Sequence, residues 1–215
     1  MGVATRGMLF PTMRRRRVLI ESPLKWHLME MSGAAPVRHP VVPVIAERGG
    51  TQLRAPRAVA VIDTREQNPF SFTRFARWFE RIEERALPLG DYSIAGMEDS
   101  CIVERKSLAD LIHSFTVDRA VFVARLRRMS QAAHPLLVIT APLSEVKSRY
   151  PYSAVDPNQI TQSLLAVLVG LRVPFLCAET HALGAEMTAS FLYQVHLHNW
   201  LDTNGYGRCL SDSGL

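Results

Sequence analysis

Apolar residues in this chain change their spacing several times, and each change marks an element. Ala58-Val59-Ala60-Val61-Ile62 is an unbroken apolar run of strand length, the pattern of a strand buried on both faces, and Asp63-Thr64-Arg65-Glu66 follows at its C-terminal end. Residues 74 to 83 mix aromatics with charges and predict a short helix. Residues 87 to 94 and 100 to 104 predict two strands joined by a turn. Ser107 is a good N-cap, with Asp110 in the first turn of the helix it opens. A second helix is expected over residues 118 to 132, with Phe122, Leu126 and Met129 on one face and Arg125 and Arg128 on another.

Leu136-Leu137-Val138-Ile139-Thr140 predicts the next buried strand, and Pro142-Leu143 a short helix ending before Pro151. Asp156-Pro157 combines an N-cap with proline at the first helical position and starts an apolar helix to Leu171. Residues 173 to 177 predict a strand. A long helix from His181 to Trp200 carries Leu183, Met187, Phe191, Leu192 and Val195 at helical spacing. Strands alternating with helices argue for an α/β domain with a central, mixed, largely buried sheet flanked by helices. The expected layout is a poorly ordered basic extension over residues 1–57, the folded domain over 58–202 and a frayed tail over 203–215.

Charge sharpens this division. The net charge of +5 comes from the extension, whose ten Arg or Lys face three Glu, whereas the remainder holds fifteen basic and seventeen acidic residues. The folded part is therefore not a basic protein, and affinity for nucleic acid must come from local patches, the tail or a bound metal. The run Arg14 to Arg17 has three readings: a nucleic-acid arm, a targeting segment, or the product of a start codon placed upstream of the true one. No apolar run reaches membrane-spanning length. Cys101, Cys177 and Cys209 are far apart, which suggests free thiols in a reducing cytoplasm rather than zinc or disulfides. There is no phosphate-cradling loop ending in Lys-Ser or Lys-Thr, so no nucleotide cofactor is expected. His196 and His198 are two apart on one expected helix and cannot chelate one ion.

The chemistry concentrates in Gly90-Asp91-Tyr92 and Glu104-Arg105-Lys106, followed by Asp110. A strand pair with a turn puts Asp91, Glu104 and Lys106 at one end of the sheet. Acids gathered there repel unless a cation lies between them, and hard divalent cations prefer carboxylate oxygens. A lysine beside such an ion can hold or deprotonate a water. These are the parts of a metal-dependent phosphodiester hydrolase.

Val61-Ile62-Asp63-Thr64-Arg65-Glu66, Leu89-Gly90-Asp91-Tyr92 and Val103-Glu104-Arg105-Lys106-Ser107 with Asp110-Leu111 together resemble the XPF-type nuclease domain of the restriction-endonuclease-like superfamily, with its Pro-Asp…(Asp/Glu)-x-Lys signature. The resemblance covers about residues 58 to 200 and is nearest to compact bacterial and phage members. It implies a restriction-endonuclease-like fold and a Mg²⁺- or Mn²⁺-dependent endonuclease acting on branched or flapped DNA in repair, recombination or phage-type processing. It implies that Asp91 and Glu104 ligate the ion, that Lys106 orients or activates the attacking water, and that Asp63 binds the metal or shapes a second site. Arg65 and Arg105 would contact phosphate, with Glu66 and Asp110 in support.

Asp110 has an equal structural reading, since acids are favoured in a first helical turn. Arg125, Arg127 and Arg128 suit either a DNA backbone or a solvated helix face. The chain departs from the family where Thr116-Val117-Asp118-Arg119 replaces a glycine-arginine segment. Only about a dozen residues follow the last helix, too few for a tandem helix-hairpin-helix module. Family members dimerise through the last helices, so a homodimer or heterodimer through residues 157–171 and 181–200 is expected, unless these helices are ordinary core. The expected compartment is the cytoplasm with the nucleoid, or the nucleus in a eukaryote. The alternatives are a non-catalytic DNA-binding subunit and a restriction-like defence nuclease.

Overall fold

The structure is a computed structural model and describes residues 44–46 and 52–206, with side chains from residue 55 onward. The eight strands are β1 (Val44–Ala46), β2 (Gln52–Arg54), β3 (Ala58–Ile62), β4 (Phe79–Glu84), β5 (Tyr92–Ile94), β6 (Cys101–Lys106), β7 (His134–Ile139) and β8 (Phe175–Cys177). The helices are α1 (Leu108–Thr116), α2 (Arg119–Met129), α3 (Leu143–Val146), α4 (Pro157–Ala166) and α5 (His181–Thr203). β3 to β8 form a six-stranded sheet in the order β4-β3-β5-β6-β7-β8. β5 runs antiparallel to both of its neighbours, and all other pairings in this sheet are parallel. The fold is the mixed, helix-flanked α/β sheet that the alternation of patterns predicts.

This topology decides where chemistry can occur. With β5 reversed between β3 and β6, the start of β5 lies at the same sheet end as the finish of β3 and β6. The backbone stitches that end together: Asp63 N–H donates to the Asp91 carbonyl at 2.8 Å, and Asp91 N–H to that of Val103 at 2.7 Å. Asp91, Glu104 and Lys106 thus arrive at one end of the sheet, as expected of the strand pair, and Asp63 joins them from the end of β3.

Two cores cover the faces. One packs Phe70, Phe72, Phe75 and Trp78 with α5 against Val103 and Val138, and the other packs α1, α2 and α4 against Ile102, Leu137 and Ile139. Successive side chains of a strand point to opposite faces. In β6, Ile102 therefore shares its face with Glu104 and Lys106, the face carrying α1 and α2, while Arg105 turns to the other side. That alternation sorts the motif into two functions.

Four expectations need correction. The helix expected over residues 74–83 is instead a 3₁₀ segment, Thr73–Trp78, anchored by buried Phe75 and Trp78, followed by β4. Glu and Arg favour helix locally, but the open side of β3 captures the segment as an edge strand, and tertiary pairing overrides propensity. Among the described residues β4 is paired on one side only, and it is mostly exposed and charged, which protects the edge.

Secondly, within the expected extension β1 and β2 pair antiparallel, and Ala55 already belongs to the core. Residues 1–43, including the arginine run, lie outside the described residues. Thirdly, α5 does not pack through Leu183 and Met187, which are exposed, but through Ala185, Thr188, Ala189, Leu192 and Val195. Small residues let this helix approach the sheet, and a Cβ on Gly184 would stand 2.7 Å from the Phe70 ring. Fourthly, the domain runs past residue 202: α5 reaches Thr203, and buried Tyr206 stacks on Trp200 with centroids 6.3 Å apart. Residues 207–215 lie outside the described residues.

α4 starts as expected, with the Asp156 carboxylate accepting from Asn158 N–H at 2.9 Å and proline in the first turn. Its continuation widens into a π turn, Val167–Leu171, which ends on Arg172 at φ 56°. A left-handed residue other than glycine costs about 1 to 2 kcal/mol. Arg172→Gly is accordingly expected to stabilise the protein by up to about 1 kcal/mol after the entropic cost of glycine. Urea denaturation measures it, and a loss of stability would show that the Arg172 side chain contributes more than the strain costs.

Candidate active site

An open cleft of about 420 Å³ lies at this sheet end, lined by residues of the β3–β4 and β4–β5 connections, β6, α1 and α2. Asp63, Arg65, Glu66, Asp91, Glu104, Arg105, Lys106 and Asp110 all line it. Every candidate from the sequence therefore reaches one cleft, yet they do different things there.

Asp91 and Glu104 form its acidic centre. Asp91 Oδ2 accepts the Arg105 N–H at 2.6 Å, which fixes the carboxylate against the β6 backbone. Glu104 is 1% exposed and has both oxygens engaged: Oε1 lies 3.1 Å from Lys106 Nζ, and Oε2 accepts from Arg125 Nε at 2.8 Å. The Arg125 Nη2 atom is 2.7 Å from Glu104 Oε2 and 3.8 Å from Asp91 Oδ1. Lys106 Nζ also sits over the Phe122 ring, 5.5 Å from its centroid. Burial and the neighbouring Glu104 carboxylate push Asp91 up to about 7, against the pull of the Arg105 N–H.

Because Asp91 holds its proton more tightly folded than unfolded, it adds stability that is fully present below pH 4 and lost as pH rises through about 7. The melting temperature of metal-free protein relative to Asp91→Asn should therefore fall across that window. A pH-independent difference would contradict the burial of this acid beside Glu104.

Asp63 behaves differently. Its Oδ1 accepts from Arg65 N–H at 2.7 Å and Arg65 Nε at 2.8 Å, while Oδ2 accepts from Arg65 Nη2 and Leu87 N–H, both at 2.7 Å. The Arg65 side chain holds Asp63 well below the usual carboxylate range, outweighing burial, and the Leu87 N–H adds to this. With four donors on two oxygens, Asp63 is a brace between the β3 end and the approach to β5. Among the described residues no three His, Cys, Asp or Glu side chains converge as a metal-binding group. In this structure the Asp63 oxygens are engaged by Arg65 and Leu87, as those of Glu104 are by Lys106 and Arg125, so the ligand role expected of Asp63 stays a proposal.

Arg105 is also committed elsewhere. Its Nε and Nη2 donate to Glu66 Oε2 and Oε1 at 3.1 and 2.8 Å, and both side chains are less than 10% exposed. This buried fork-to-fork pair ties the Arg105 guanidinium to Glu66, and the phosphate contact expected of Arg105 and the supporting role expected of Glu66 stay proposals. Breaking such a pair by removing one partner costs about 3 to 5 kcal/mol. Arg65 pairs with Asp63 but keeps a side chain that is 67% exposed at the cleft mouth. Asp110 makes a reciprocal cap with Ser107, accepting the hydroxyl at 2.7 Å and donating its N–H to that oxygen at 3.1 Å. This matches the structural reading, with the exposed carboxylate still on the cleft wall.

Arg125 is the residue that sequence reasoning did not assign to the centre. Its signal was present. It lies three residues after Phe122 and one before Leu126, beside the buried stripe rather than opposite it. Arg127 and Arg128 remain on the exposed side of α2.

Comparisons with known proteins give the family and the fold. The ERCC4 domain family model matches residues 62–191. Among solved structures, the XPF protein from Aeropyrum pernix superposes with a TM-score of 0.53 at 18% identity, covering 65% of this chain and 61% of that one. A structure of XPF from Aeropyrum pernix in complex with DNA gives a TM-score of 0.51 at 20% identity over 65% and 64% of the two chains. The chain thus spans less than two thirds of these structures, and the likeness shows the fold. No curated protein matches the sequence significantly.

Proposed function

The chain belongs to the ERCC4 domain family, and from that premise we propose that it is a divalent-metal-dependent endonuclease that hydrolyses phosphodiester bonds in branched or flapped DNA. The observation that carries this reading is the pairing of Asp91 and Glu104 across one guanidinium, with Lys106 alongside. Two carboxylates whose inner oxygens face the same cation suit Mg²⁺ or Mn²⁺, which bind through one or two carboxylates and keep waters for substrate oxygens. When bound, the ion would polarise the scissile phosphate and lower the pKa of a coordinated water.

The chain's own residues supply the remaining functions. Lys106 is held by Glu104 and Phe122 at the cleft wall, where its ammonium orients the attacking water. Arg65, exposed at the mouth, offers its guanidinium edge to a neighbouring phosphate. Glu66 and Arg105 stiffen the β6 end, so that the Arg105 N–H keeps Asp91 in place.

A DNA duplex with a branch is the proposed partner, in repair, recombination or phage-type processing. A second copy of the chain, or a related subunit, is proposed to dock through the helical segments over residues 157–171 and 181–200. Leu165, Leu168 and Val169 are exposed after β7, and Leu183 and Met187 after β8. No described helix is long and apolar enough to cross a membrane.

A non-catalytic subunit is the second reading, favoured by one fact: the ion pairs of Arg125 and Lys106 already neutralise the acids, as a scaffold would require. End-labelled duplex, single-stranded, 3′-flap and four-way substrates with Mg²⁺ or Mn²⁺ separate the two. Metal-dependent cutting that Glu104→Gln abolishes supports the enzyme. Binding without cutting under every condition supports the scaffold.

A further inference from the structure

The geometry points to Arg125 as a place-holding cation: its guanidinium occupies the point between Asp91 and Glu104 in the metal-free protein, yields it when a divalent ion binds, and is then free to take a DNA phosphate. This rests on the metal-dependent reading above. Of the four carboxylate oxygens, one takes the Arg105 N–H and one faces Lys106. The remaining two, Glu104 Oε2 and Asp91 Oδ1, face the single Nη2 of Arg125 at 2.7 and 3.8 Å. These are the oxygens that a cation shared by the two acids would use.

The physical need for a substitute is clear. Glu104 is 1% exposed, and a buried carboxylate beside a second acid is costly without a counter-charge. Lys106 supplies one positive charge and Arg125 the other, and these two cations stand beside Glu104 in the metal-free protein. The two differ in tether. Lys106 follows Glu104 on the same strand face and is pinned over Phe122, whereas Arg125 reaches in from α2 on a long side chain that remains 37% exposed.

The backbone of α2 is anchored by buried Phe122, Leu126 and Met129, so only the Arg125 side chain need move. A divalent ion brings twice the charge and direct coordination, and Arg125 gives up its contacts. It remains at the cleft, where its planar fork suits phosphate oxygens. Metal and DNA therefore help one another to bind: the ion releases the guanidinium, and the phosphate removes it from competition.

The test is calorimetric titration of Mn²⁺ into the full chain without DNA, comparing wild type with Arg125→Ala and Arg125→Gln. Glutamine keeps a hydrogen-bonding group near Glu104 while removing the charge, which guards against a misfolded alanine variant. Both variants are expected to bind Mn²⁺ about tenfold more tightly than wild type, within the range of ordinary coupling energies. A short duplex, with Ca²⁺ as the non-cleaving ion, should tighten ion binding in wild type and do so much less in Arg125→Gln. Unchanged or weaker Mn²⁺ binding in folded variants would overturn the place-holder and leave the metal-dependent reading standing. Failure of wild type and both variants to bind Mn²⁺ would overturn both.

Discussion

Asp91→Asn is expected to cut the cleavage rate by about a thousandfold or more while leaving the fold and DNA binding in place. The magnitude follows from removing a charged group on which electrostatic stabilisation of the reacting phosphate depends. Asparagine is the informative replacement because its amide oxygen can still accept the Arg105 N–H that Asp91 Oδ2 accepts at 2.6 Å. The scaffold is thus preserved, and what disappears is one negative charge opposite Arg125. DNA affinity without metal should hold, since Asp91 already keeps its proton up to about pH 7 in the metal-free cleft. Single-turnover kinetics beside a filter-binding assay would measure both effects. Full activity in this variant would remove Asp91 from the ion site.

Gly90→Ala should damage stability and catalysis together. Gly90 stands at φ +83°, and an added Cβ would lie 2.7 Å from Ile102 Cγ2 and 2.9 Å from the Val103 carbonyl oxygen. The side-chain contact can be relieved, but the carbonyl is part of β6 and already accepts the Asp91 N–H at 2.7 Å. Strain from the left-handed backbone alone is about 1 to 2 kcal/mol, and the total expected loss is about 2 to 4 kcal/mol. Relief of the clash must shift Gly90 away from β6 and carry Asp91 with it. Misplacement by an ångström is enough for about a hundredfold loss in rate. Denaturant unfolding and kcat measured on the folded fraction would test both. A variant as stable and active as wild type would show that the turn is looser than the contacts indicate.

The legible parts of this fold were those governed by short-range rules. The apolar runs ending at Ile62 and Ile139, the Ser107–Asp110 cap and the Asp156-Pro157 helix start need only local spacing, and each element formed where expected. The strand pair with its turn also brought Asp91, Glu104 and Lys106 to one end of the sheet.

What escaped depended on partners far along the chain. Asp63 is satisfied in part by the Leu87 N–H, 24 residues away, and no local pattern announces that bond. The commitment of Arg105 to Glu66 spans 39 residues and depends on which face of β6 each residue occupies. Arg125 meets Glu104 across 21 residues, and only the rotation of α2, set by Phe122 and Leu126, distinguishes it from Arg127 and Arg128. β4 was hidden for a related reason: its residues favour helix until an unpaired strand edge is available.

The most direct test of the account is the anomalous scattering of Mn²⁺ in crystals of the full chain. One strong peak is expected within coordination distance of Asp91 and Glu104, with the Arg125 guanidinium withdrawn from between them and Asp63 still bound to Arg65 and Leu87. A peak on Asp63, or no peak between Asp91 and Glu104 at saturating Mn²⁺, would contradict it.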